Sequence, residues 1–213
     1  MESLLLFVFR PLTALRMGSV HRVRVLSGAY KGRKIKAPSS KSTRPTSARV
    51  KKSLFDMLEA RADLHGFSVL DLFAGSGALG IEAISRGATE VIFVDNASRT
   101  LKENMDLIRA DTADVRVVRN DALAYLKSAA AGGVLFDLIF LDPPYAFSNW
   151  PELLQLSSKL LSEESYLVIE SDQEVQLPDS LRLEKLKSYG STVVMIAAPA
   201  QMASDEHRFE EDR

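Results

Sequence analysis

Gly75-Ser-Gly-Ala-Leu-Gly80 follows a short apolar run at 67–73 and opens a segment with helical spacing. A strand that turns through glycines into a helix brings backbone N–H groups and a helix N-terminus to one spot. Asp95 lies twenty residues past Gly75, at the end of the next apolar run. An acid at that place grips ribose hydroxyls. The pattern predicts an adenosine-type cofactor; a tight strand–helix turn without a ligand is the plainer alternative.

The same alternation fills most of the chain. Strands are predicted at 67–73, 90–94, 114–118, 136–141, 166–170, 181–188 and 192–197, and helices at 77–86, 97–110, 122–130 and 150–161. Short apolar strands separated by helices predict an α/β fold with a parallel sheet covered on both faces. The last two strands leave no room for a helix between them, so they should pair as an antiparallel hairpin. Upstream, Val23 and Val25 alternate with Arg22 and Arg24, Ser27-Gly28 signals a turn, and Arg33 to Lys36 can return as a second strand. After Pro45, Val50, Leu54, Met57 and Leu58 share one helical face, with Thr46 or Ser47 as cap.

Charge is distributed unevenly. Residues 1–61 carry 14 basic residues against Glu2, Asp56 and Glu59, whereas 62–213 carry 13 against 25 acids. Between His21 and Ser53 there are eleven basic residues and no acid. Glycines, prolines and β-branched residues interrupt this block, which favours a polyanion-binding surface over a solvating tail. If six of these cations met phosphates, binding should fall with salt with a log–log slope of about −4 to −5. Lys31, Arg33 and Lys34 are expected to contribute to that binding and little to chemistry, with Arg24 and Tyr30 beside them; Tyr30 suits either a stacking platform or an ordinary turn.

There is no cysteine, which excludes disulfides, thiolate metal sites and cysteine nucleophiles. His21, His65 and His207 stand in unrelated contexts, so no metal is expected. No apolar run approaches the ~20 residues of a membrane span. The opening run Leu4 to Phe9 is six residues long and follows an acid, which argues against a secretory signal and leaves a transit peptide or an unstructured extension with Met17 as the working start. The expected division is an extension at 1–20, a basic hairpin segment at 21–45, a catalytic domain at 46–198 and a polar tail at 199–213. A cytoplasmic monomer is expected.

Two features select the chemistry. Asp71 ends the first strand, four residues before Gly75. A carboxylate at that crevice repels a pyrophosphate and attracts a cation, which favours S-adenosylmethionine over a nicotinamide dinucleotide. Asn120-Asp121 can accept from an adenine amine or cap the following helix. The fourth strand then runs into Asp142-Pro-Pro-Tyr145. Two prolines fix φ and remove two donors, so carbonyls in that turn should point outward unpaired. Asp142 and the Pro143 carbonyl can accept both hydrogens of a planar amine, while Pro144 and Tyr145 offer a surface on which a base stacks, worth about 1–3 kcal/mol. These residues imply methyl transfer to an exocyclic amine. Phe147 and Trp150 fit either contact with the base or anchorage in the core.

Four segments resemble one bacterial family, the small-subunit ribosomal RNA guanine-N2 methyltransferases (the RsmD family). They are 22–35, Arg44-Pro-Thr-Ser-Ala-Arg49 with Leu54-Phe55, 71–80, and Asp142-Pro-Pro-Tyr145; Tyr189-Gly-Ser-Thr192 is a weaker fifth. The resemblance implies a Rossmann-like seven-stranded sheet, mostly parallel with its last strand antiparallel, and a small N-terminal β-hairpin. It implies that Arg44 and Thr46 close over the methionine end of S-adenosylmethionine, that Asp95 holds the ribose, Asp121 the adenine and Asp142 the target amine. Phe73, Gly75, Gly77, Asn96 and Ala122 flank those positions and are counted with the cofactor. The substrate would be ribosomal RNA, a small subunit or an assembly intermediate, and the products S-adenosylhomocysteine and methylated RNA. An adenine-N6 methyltransferase is the alternative within enzymes. A dinucleotide-dependent oxidoreductase and a catalytically silent RNA-binding module are the others.

Overall fold

The computed structural model describes residues 22–37, 48–109, 111 and 113–200. A two-stranded antiparallel hairpin, β1 (Arg22–Arg24) and β2 (Lys34–Lys36), precedes helix α1 (Ala48–Glu59). Then follow β3 (Ser68–Leu72), α2 (Ala78–Ser85), β4 (Glu90–Asp95), α3 (Arg99–Ile108), β5 (Asp114–Arg119), α4 (Ala122–Ala131), β6 (Phe136–Leu141) and α5 (Trp150–Ser158). The chain ends on β7 (Leu161–Ser171), β8 (Leu181–Tyr189) and β9 (Thr192–Pro199).

The large sheet has seven strands in the order β5-β4-β3-β6-β7-β9-β8. Only β9 runs against the others, pairing antiparallel with both β7 and β8. This is the Rossmann-like arrangement expected from the sequence. Side chains alternate across it with the period of two that a pleated strand imposes. Val91 and Phe93 face one core with α1, α2, α3 and the hairpin, while Ile92 and Val94 face the other with α4 and α5. The direction of the winding reverses between β3 and β6. In open α/β sheets ligands bind in the crevice beyond the strand ends at such a switch point.

One boundary differs from expectation. The helix predicted at 150–161 ends at Ser158, and β7 begins at Leu161 rather than 166. Its first half carries the polar run Ser162-Glu-Glu-Ser165, which hides the strand pattern. A register shift against β6 accommodates that run, and Ser162 donates to Asp137 at 3.2 Å. In α1, Lys51 and Phe55 join Val50, Leu54 and Leu58 as buried residues, and Met57 is only partly covered. The caps Thr46 and Ser47 lie outside the described residues, as do the whole predicted extension and the predicted tail beyond residue 200. Among the described residues no helix is long and apolar enough to cross a membrane.

Candidate active site

The parallel strands end together, so whatever follows them shares one edge of the sheet. Leu72 of β3 pairs with Leu141 of β6, and Phe73 and Asp142 leave that rung as neighbours. Asp95 closes β4 beside Arg119 of β5, and Asp121 follows two residues later. Residues 71–77, Asp95, Asn96, Asp121, Ala122 and the 142–145 turn are thereby gathered along the C-terminal edge.

The glycine loop is held by its own backbone and by one carboxylate. Ala74 N–H donates to Val94 O at 3.1 Å and Gly77 N–H to Ala74 O at 2.7 Å. Asp95 accepts from Gly75 N–H at 2.8 Å on one oxygen and from Ala97 N–H at 2.6 Å on the other. Each oxygen keeps a second lone pair for a hydroxyl. Phe73 has φ of 60°, a left-handed conformation costly for a side chain of this size. Its ring meets Phe147 edge-on at 5.5 Å, and Phe147 meets Trp150 in the same way at 5.5 Å. This ring stack joins the glycine loop to the segment after the reacting turn. It resolves the two options for Phe147 and Trp150 towards core anchorage, since both pack on the α4–α5 core.

Asp71 is 2% exposed and accepts from Gly80 N–H at 2.9 Å. The sequence treats this group as an open carboxylate. Burial pushes its pKa up to about 7, opposed by the Gly80 bond and reinforced by the charge of Asp95. Asp71 therefore ties the first turn of α2 to β3, and its charge is divided near neutral pH. Gly80 permits the close approach: a Cβ there would stand 2.3 Å from the Phe93 ring.

Asp121 caps α4, accepting from Ala124 N–H at 3.0 Å, and stays exposed. In the reacting turn Pro143 is buried, Asp142 half-buried, and Pro144 and Tyr145 exposed. The expectation of outward, unpaired carbonyls fails for Pro144. The Pro144 carbonyl accepts from Phe147 N–H at 2.8 Å; among the described residues no N–H bonds to the Pro143 carbonyl. The donor set fits S-adenosylmethionine: carboxylates that accept from hydroxyls and an amine, a glycine loop, and an acidic edge suited to a cation.

The basic hairpin is placed differently. Its tip packs on the ends of α2 and α3, at the opposite edge of the sheet. Ala29 N–H donates to Ser85 O at 2.7 Å, and Arg33 donates to Ile108 O while lying 4.8 Å over the Tyr30 ring. Tyr30 is 5% exposed and reaches Asp111 at 3.3 Å, so it is a buried anchor and offers no face to a base. Arg24, Lys31, Arg33 and Lys34 are exposed. Arg44 and Thr46 lie outside the described residues.

Three residues escaped notice in the sequence. Asn104 is fully buried and bridges the hairpin to the glycine loop, donating to Lys36 O at 2.9 Å and Ser76 O at 2.8 Å and accepting from Lys36 N–H at 2.8 Å. Lys51 and Glu82 form a fully buried ion pair at 2.8 Å, and Glu82 also accepts from Leu26 and Ser27 N–H at 2.9 Å. All three polar residues sit on otherwise apolar helical stripes, which is the signal that marks them.

A Rossmann-like sheet with this loop and this turn at its switch point defines the class: the methyltransferase fold. Residues 23–198 match the family described as conserved hypothetical protein 95. The chain belongs to that family, which includes the small-subunit rRNA methyltransferases D. It is similar to an rRNA methyltransferase candidate of Bacillus subtilis, YlbH, with 44% identity over 82% of this chain and 97% of the relative. It is 34% identical to the ribosomal RNA small subunit methyltransferase D of Haemophilus influenzae over 79% of this chain and 89% of the relative. Among solved structures, the Escherichia coli methyltransferase candidate yhhF superimposes with a TM-score of 0.74 at 29% identity, covering 85% of this chain and all of that one.

Proposed function

We propose that the protein transfers a methyl group from S-adenosylmethionine to the exocyclic N2 amine of a guanine in small-subunit ribosomal RNA. The observation that carries this is the Leu72–Leu141 rung, which sets the Asp142-Pro-Pro-Tyr145 turn against the glycine loop. The named activity of the relatives supports the RNA substrate.

S-adenosylmethionine, when bound, supplies an electrophilic methyl group on a cationic sulfur. Asp95 holds the ribose and Asp121 the adenine amine, with Phe73, Gly75, Gly77, Asn96 and Ala122 around them. Arg44 and Thr46 serve the methionine end. Asp142 and the Pro143 carbonyl accept the two hydrogens of the target amine and aim its lone pair. Tyr145 and Pro144 carry the flat base. Catalysis would then be mainly positioning of the nitrogen lone pair by these acceptors. The nitrogen gives up a proton to water after the new bond forms. A paired guanine must first be flipped out, at a cost of a few kcal/mol. The protein works as a cytoplasmic monomer on the RNA, the subunit or an assembly intermediate.

The test uses methyl-labelled S-adenosylmethionine and small subunits from cells lacking the corresponding enzyme. Label recovered in N2-methylguanosine is the expected result. Label in N6-methyladenosine would replace guanine with adenine. Cofactor binding without label would leave the fold and remove the substrate.

A further inference from the structure

We infer that Arg49 and Lys187, beside the Tyr189 turn, form a second RNA-contact surface that grips backbone phosphate on the β8 flank of the reacting turn. This rests on the proposed RNA substrate and extends it to residues outside the basic hairpin.

The Tyr189-Gly-Ser-Thr192 turn joins β8 to β9. Val193 pairs with Ser171, the last residue of β7, so the turn stands at the same C-terminal edge as Asp142. The turn is fastened to α1: Ser53 and Tyr189 share a hydroxyl–hydroxyl hydrogen bond. Lys187 reaches Ser53 at 3.4 Å and lies 5.3 Å from the Tyr189 ring centre. Arg49 precedes Ser53 by four residues, one helical turn on the same face. Because α1 runs down from this edge to Glu59, which pairs with Arg86 at the end of α2, Arg49 lies above Ser53 towards the reacting edge.

Charge decides what this face can bind. The acids of α1 and β8 already have partners: Asp56 pairs with Lys52 at 2.7 Å, Glu59 with Arg86, and Glu184 with Arg182. Arg49, Lys185 and Lys187 are exposed and, among the described residues, have no acidic partner. By contrast the hairpin tip stands at the far edge, and Arg33 is committed to Ile108 and Tyr30. A cation ordered against a hydroxyl and a ring, as Lys187 is, with Arg49 one helical turn above Ser53 at the edge where the target base must arrive, is suited to phosphate. Such contacts fix the register of a strand without reading its bases.

The experiment compares the full-length protein with R49A/K187A for binding and methylation of small-subunit RNA across a salt series. The wild type is measured first; if it neither binds nor methylates that RNA, the proposed function falls and this inference with it. Given an active wild type, the double variant should show a salt slope shallower by about 1.4 for a single-stranded contact and a KM for RNA raised about tenfold. S-adenosylhomocysteine affinity and kcat at saturating RNA should not change. R49K/K187R should restore the slope, and K159A, at the opposite edge, should leave it unaltered. An unchanged slope and KM in R49A/K187A overturns the inference. So does a loss seen only with intact subunits and not with naked RNA, which would assign the surface to a ribosomal protein.

Discussion

Asp95 receives the Gly75 N–H on one carboxylate oxygen at 2.8 Å while its other oxygen is held by Ala97 N–H at 2.6 Å. The acid expected to grip a ribose is thus also the brace of the glycine loop. Replacing it by Ala removes both the acceptors and the brace. Calorimetry with S-adenosylhomocysteine should show affinity reduced about ten- to a hundredfold, the worth of one or two bonds to a charged group. Affinity within twofold of wild type would mean that Asp95 only shapes the loop.

Asp71 makes stability depend on pH. Its folded pKa of about 7 lies above the ordinary value of 3.8. The folded state therefore keeps a proton that the unfolded chain releases, and this contribution is lost as pH rises through 7. Asp71→Asn keeps an acceptor for Gly80 N–H without the charge. The melting temperature of the variant relative to wild type should rise between pH 5 and pH 8. A difference constant over that range would contradict the burial argument.

Lys51 and Glu82 lock the hairpin to the domain. Lys51→Ala leaves a buried carboxylate with Arg86 and backbone N–H groups but without its closest cation, and should cost about 3–5 kcal/mol in denaturant unfolding. A cost below ~1 kcal/mol would show that the pair is not closed in solution.

Gly28 fixes how the hairpin docks. Its φ is 76°, and a Cβ there would stand 1.5 Å from the Ser85 carbonyl oxygen. Gly28→Ala should destabilise by at least about 2 kcal/mol, combining backbone strain with the clash. An unshifted melt would mean that the tip does not pack on α2.

Much of this was legible in the sequence because the relevant signals are local. The strand–glycine–helix passage at 67–86, the alternation of β4 to β6 and the Asp-Pro-Pro-Tyr turn each follow from neighbouring residues. What stayed hidden depends on distant partners. Lys51 counts as one more cation in a basic block until Glu82, thirty-one residues away, is seen against it. Tyr30 belongs by sequence to an RNA-binding tip, yet it is buried against the end of α2, where its N–H donates to Ser85. Asp71 reads as an open carboxylate because nothing in its own strand reports the Gly80 N–H above it. The polar start of β7 is disguised by a register shift that only its pairing with β6 explains.

The central claim is that the turn at Asp142 holds the reacting amine beside the cofactor loop. The most direct measurement is the single-turnover rate of labelled methyl transfer to small-subunit RNA by wild type and Asp142→Ala, with products resolved as nucleosides. The account predicts label in N2-methylguanosine for the wild type and a rate reduced at least about a hundredfold in the variant, the scale expected when a positioning contact is lost. N2-methylguanosine formed by Asp142→Ala at the wild-type rate would contradict it.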